Sequence, residues 1–88
     1  MSLLLEIDFT ADVSSDVTLA SDEKNTLILL GPKNAAVLVE LKDSLGGYTV
    51  VGHMNGFDVT NRCKQISGPL TYRVRRTEGV PAGVEQVE

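Results

Sequence analysis

Residues 35–53 read AAVLVELKDSLGGYTVVGH, and their period decides the fold. Val37, Val39 and Leu41 alternate with Leu38, Glu40 and Lys42. A pleated backbone sends successive side chains to opposite faces, so this pattern reads as a strand with one apolar face. Asp43-Ser44-Leu45-Gly46-Gly47 then turns the chain, because paired glycines supply the positive φ that tight turns need. Residues 48–53 return as a second strand, completing an antiparallel hairpin.

The same period extends in both directions. Asn55-Gly56 is a second turn signal. Residues 57–63 are expected to form the next strand, with Phe57, Val59 and Cys63 inward. Ser67-Gly68-Pro69 turns again, and Leu70, Tyr72 and Val74 alternate with Thr71, Arg73 and Arg75 in a final strand. Towards the N-terminus, residues 26–30 form an apolar run closed by Gly31-Pro32, which fits a buried strand. Val17 and Leu19 mark a short strand, separated from that run by the turn Ser21-Asp22-Glu23-Lys24-Asn25. Leu3, Leu5, Ile7 and Phe9 alternate with Leu4, Glu6 and Asp8, a strand with one strongly apolar face.

No stretch carries apolar residues at spacings of three and four over a dozen positions, so essentially no helix is expected. The fold class is all-β: an antiparallel β-sandwich of about seven strands, with a small β-barrel as the alternative. Residues 1–77 are expected as one domain. From residue 78 onward Gly, Pro, Ala and acids replace the pattern, and residues 78–88 are expected as an extended C-terminal tail.

The chain has 88 residues, one domain at most. A domain of this size buries only about 60–65% of the surface its unfolded chain exposes, so an enclosed substrate pocket would compete with the core for apolar residues. The net charge of −4 disfavours nucleic acid, because an acidic protein repels phosphate backbones at long range. The charge is uneven. Residues 1–44 hold eight acids against three lysines, whereas residues 45–88 hold four acids against five basic side chains. Cys63 is the lone cysteine, so no intrachain disulfide can form. No apolar run approaches a membrane span, and the first residues lack the basic start of a signal peptide, so no membrane partner is expected.

Candidate chemical sites are sparse. His53 and Cys63 stand apart with no second pair, short of the converging ligands a metal needs. Cys63 between Arg62 and Lys64 reads as a small core residue rather than a nucleophile. Asp22 and Glu23 are followed at once by Lys24 and read as a solvated turn. Gly31-Pro32-Lys33 and Gly46-Gly47 precede strands, whereas a phosphate loop needs a following helix. No catalytic residue, metal, cofactor or small-molecule substrate is expected, and the chain is read as not an enzyme. A sugar-binding sandwich would rely on exposed aromatic faces, and the chain has no Trp.

The informative side chains are those suited to a protein partner. Arg73 and Arg75 share a face of the last strand, and Arg76 points the other way or begins the tail. They read either as the charge that protects an edge strand or as a basic stripe that meets an acidic partner. Leu3, Leu4 and Leu5 make both faces of the first strand apolar, so that strand is either central or packs against another subunit. Leu3, Leu4, Leu5, Arg73, Arg75 and Arg76 are therefore the candidate partner-binding residues.

Residues 31–84 resemble small all-β virion proteins of tailed bacteriophages. The resemblance rests on the run from Ala36 to Ser44, on Gly46-Gly47-Tyr48, and on the run from Gly68 to Arg76, with Gly83-Val84-Glu85 at the close. It implies a capsid decoration or cement protein that binds the major capsid protein or another virion protein. Such a protein would be made in the host cytoplasm, sit on the capsid surface and form a homo-oligomer. A small tail or head–tail connector component and a stand-alone adhesion or carbohydrate-binding module are the alternatives.

Overall fold

The computed structural model describes residues 2–58 and 61–87. Nine strands follow in order: β1 Ser2–Asp8, β2 Asp12–Val13, β3 Val17–Leu19, β4 Lys24–Leu30, β5 Ala36–Lys42, β6 Tyr48–Asn55, β7 Cys63–Ser67, β8 Leu70–Arg76 and β9 Ala82–Val87. There is no α-helix among the described residues. Two antiparallel sheets face each other as a β-sandwich, one ordered β1-β9-β4-β7 and the other β2-β8-β5-β6, with β3 also on β8. Ser14 joins β2 to β3: its N–H donates to Val74 O at 2.9 Å, and its hydroxyl accepts from Val74 N at 3.0 Å.

Alternation fills the space between the sheets. Leu27, Leu29, Val84 and Ala82 point in from the first sheet, and Val37, Val39, Met54, Tyr72 and Val74 from the second. Each large aliphatic or aromatic side chain so buried contributes about 1.5–3 kcal/mol. The hairpin of β5 and β6 forms as its sequence dictates, with Leu38, Glu40 and Lys42 outward opposite His53, Val50 and Tyr48.

Residues 82–87 are no tail, and the domain runs to the end of β9. β9 pairs with β4 on one side and β1 on the other. The period-two signal is present, with Ala82, Val84 and Gln86 on one side and Gly83, Glu85 and Val87 on the other, but small and polar residues disguise it. Gly83 is needed there: a Cβ would lie 2.8 Å from Ile7 N and Leu5 O. Because β9 enters the middle of the sheet, β1 becomes an edge strand rather than a central one.

Two register irregularities, between Leu3 and Leu5 and between Leu5 and Asp8, break the alternation of β1. A bulge shifts every later side chain to the other face. Leu5 alone of the expected apolar row is buried, while Leu3, Ile7 and Phe9 are exposed and Leu4 packs partly against the core. A second correction concerns residues 57–63. Asn55 and Asp58 instead shape a loop, with Asn55 Oδ1 accepting from Asp58 N at 3.1 Å and Asp58 O from Asn61 N at 2.8 Å. Strand β7 begins only at Cys63, which is exposed, and its inward residue is Ile66. Phe57 is also exposed, and Val59 lies outside the described residues.

Candidate interaction face

The outer face of the sheet containing β5, β6 and β8 gathers most of the organised charge. Register places Glu40 beside Arg73 and Leu38 beside Arg75. Glu40 Oε1 accepts from Arg73 Nε at 2.8 Å, and Glu40 Oε2 lies 2.9 Å from Arg75 Nη2. One carboxylate thus holds both guanidinium groups side by side, and its side chain is only 4% exposed although it points away from the core. The Arg73 guanidinium lies 3.4 Å from the centre of the Tyr48 ring, a cation–π contact. The Tyr48 hydroxyl donates to Asp16, with both carboxylate oxygens at 2.8 Å, and Lys42 Nζ sits 3.5 Å from Asp16. The chain Lys42–Asp16–Tyr48–Arg73–Glu40–Arg75 therefore links β5, β6, β8 and the connection between β2 and β3.

Two titrations are displaced by these contacts. The hydrogen bond to Asp16, then partial burial and the Asp16 charge, hold the Tyr48 phenol above its ordinary value. The hydrogen bond to Glu40 raises Arg73 further. A phenol whose folded pKa is raised contributes stability that is whole below the unfolded pKa and lost as pH rises through the folded one. Spectrophotometric titration at alkaline pH is expected to show Tyr48 ionising above a model tyrosine, and Asp16→Ala should bring it back down. An unchanged Tyr48 midpoint in Asp16→Ala would contradict the hydrogen bond.

The Glu40 cluster also makes a stability prediction. Glu40→Ala lets two partly exposed arginines rehydrate and is expected to cost about 1–3 kcal/mol. Removing both Arg73 and Arg75 leaves a buried carboxylate without a cation, the costlier defect. Urea midpoints should therefore rank wild type above Glu40→Ala and Glu40→Ala above the double arginine variant.

The six candidate residues separate in the structure. Arg73 and Arg75 stand together on the charged face, and β8 lies between β5 and the β2–β3 edge, so they do not guard an edge strand. Arg76 points inward and is 1% exposed. Its guanidinium donates to the carbonyls of Glu6, Thr10 at 2.6 Å and Ala82 at 3.1 Å, so it clamps the chain rather than facing a partner. Leu5 is core and Leu4 is partly so. Leu3 lies outward beside Glu85, on the outer face of the other sheet. That face also carries Ile28, Leu30 and Val87, all half-buried, and Ile7 against Gly83.

Two other polar residues, Glu23 and Arg62, brace turns and loops of the scaffold. Glu23 Oε1 accepts from Ala20 N at 2.7 Å within its turn. Arg62 donates to the carbonyls of Gly31 at 2.9 Å and Pro32 at 3.0 Å, holding the loop between β4 and β5. His53 and Cys63 lie exposed on different sheets. Among the described residues no group of three or more His, Cys, Asp or Glu is placed to hold a metal ion. At one end a wide-mouthed cleft of about 530 Å³ opens between the sheets beside Leu19, Glu23, Asn25 and Gln86. Its polar floor is internally paired: Asn25 Nδ2 donates to Tyr72 Oη at 3.1 Å, and the Tyr72 hydroxyl donates to Gln86 Oε1 at 3.0 Å. Sequence reading missed both Arg62 and this trio, because each depends on partners far away along the chain.

No family model, curated protein or solved structure matches the chain. Among the described residues no helix is long and apolar enough to cross a membrane.

Proposed function

We propose that the chain is a structural, protein-binding β-sandwich, and specifically a virion component that decorates a capsid by binding the major capsid protein. The observation that carries this reading is the preassembled charged face. Arg73 and Arg75 are held side by side by Glu40, and the Arg75 side chain remains 42% exposed. Guanidinium groups fixed in place before encounter meet carboxylates with little further ordering. The resemblance of residues 31–84 to small virion proteins supplies the choice of a capsid as the partner. The exposed Leu3 and Ile7 on the opposite outer face support association of further copies into a homo-oligomer.

The test is binding to purified phage shells assembled without the protein, followed at increasing salt. Wild type is expected to bind, to weaken as salt screens the arginines, and to weaken further in Arg75→Glu. Light scattering in solution would show the oligomer. A stable monomer that ignores shells would remove the proposal.

A further inference from the structure

We propose that the cleft beside β3 is a second binding site, which takes an extended peptide strand and holds one inward-facing glutamine or asparagine of it. Among the described residues β3 pairs only with β8, so its other side is an open strand edge. Antiparallel pairing sends the N–H and C=O of alternate residues to opposite sides. Part of Val17–Leu19 therefore presents backbone groups with no strand to meet. An extended chain completes such an edge.

The cleft lies against that edge, lined by Val17 and Leu19 of one sheet and by Asn25 and Gln86 of the other. The hydrogen bonds of its floor leave two groups unused. Asn25 is only 6% exposed. Its Nδ2 donates to Tyr72 Oη and, at 3.3 Å, to Gln86 Oε1, which also accepts from the Tyr72 hydroxyl. Asn25 Oδ1 and Gln86 Nε2 have no partner among the described residues, and neither is sealed from water. Turning both carboxamides over again spends one nitrogen and one oxygen on each other. Either way one acceptor and one donor remain for a ligand.

An adjacent donor and acceptor match a carboxamide, which offers one of each. A carboxylate only accepts and would meet the Asn25 oxygen. An aliphatic side chain would leave both floor groups unpaired on burial. Strand alternation joins the two halves of the site. A peptide lying on β3 extends the second sheet by one strand, and every other side chain of it points between the sheets. Facing sheets are about 10 Å apart, so a glutamine rising from the added strand meets Asn25 and Gln86 rising from the other sheet. Thr18 faces outward against Thr71 and leaves that path clear.

The site uses none of the residues of the charged face, so it stands or falls apart from the proposed function. The experiment titrates the isotope-labelled full chain with the blocked tripeptide acetyl-valyl-glutaminyl-valine amide and follows amide signals by NMR. The peptide is expected to shift backbone signals of β3 and the side-chain amide signals of Asn25 and Gln86. Leucyl and glutamyl analogues should bind at least about tenfold more weakly, since each leaves buried polar groups unpaired. Gln86→Glu keeps the oxygen that Tyr72 and Asn25 use but exchanges the free donor for an acceptor. It should lose the preference for the glutaminyl peptide, and the wild-type comparison decides the matter even if that variant unfolds. Equal binding of all the peptides to wild type would overturn carboxamide recognition. Shifts at Asn25 and Gln86 with none in β3 would overturn the strand pairing. No shift up to about 50 mM peptide, far above the millimolar affinity expected of so small a ligand, would remove the site.

Discussion

A chain ending at residue 81 is expected not to fold. β9 lies between β1 and β4, so its removal strips β4 of a partner and leaves β1 with none. Ala82 and Val84 leave the core, where both are fully buried. Arg76 loses the Ala82 carbonyl. Each lost backbone hydrogen bond costs about 0.5–1.5 kcal/mol net and each exposed large apolar side chain about 1.5–3 kcal/mol. Together these losses are comparable to the roughly 5–15 kcal/mol by which a domain is stable. Far-UV circular dichroism and a urea titration decide the matter: residues 1–81 should show no cooperative transition. A sharp transition near that of the full chain would mean that residues 82–87 hang free.

Arg76→Ala carries the next largest effect. The guanidinium is surrounded by carbonyl oxygens from the end of β1, the following loop and the start of β9, with Asp12 4.0 Å away. Alanine leaves three carbonyls without that donor, at about 1–3 kcal/mol each when buried. The expected loss is at least about 3 kcal/mol, which lowers a urea midpoint by about 1–3 M for a slope of 1–3 kcal/mol/M. Lysine restores the charge without the fork and should recover only part of the loss. A loss below about 1 kcal/mol would show that water replaces the guanidinium at little cost. Arg73→Ala should do far less, because Arg75 still holds Glu40 and the site is partly solvated.

The contrast between these neighbouring arginines shows what kind of information a sequence holds. Arg73 and Arg75 share a face and Arg76 does not, and that much follows from the pleat. Which face looks at water does not follow from the pleat. Val39 and Val74, apolar and opposite each other in register, mark their face as inward, with Val37 beside them. Arg76 lies on that same face, and its burial depends on carbonyls brought from Glu6, Thr10 and Ala82. The charged face was legible as a pair of arginines. Its organiser, Glu40, and the ring of Tyr48 were not, because they come from β5 and β6.

Local chemistry alone determined that this chain is all-β, that Gly46-Gly47 closes a hairpin, and that odd and even residues of β5 and β8 part company. These depend on neighbours within a few residues, where sterics and the period of the pleat act directly. Only the tertiary structure decided that β9 is a central strand, that bulges turn Leu3 and Ile7 to the outside, and that Cys63 and Phe57 are exposed. Strand neighbours and register are set by pairing over long sequence distances. There the gain comes from burying two faces together, and no short stretch of residues records it.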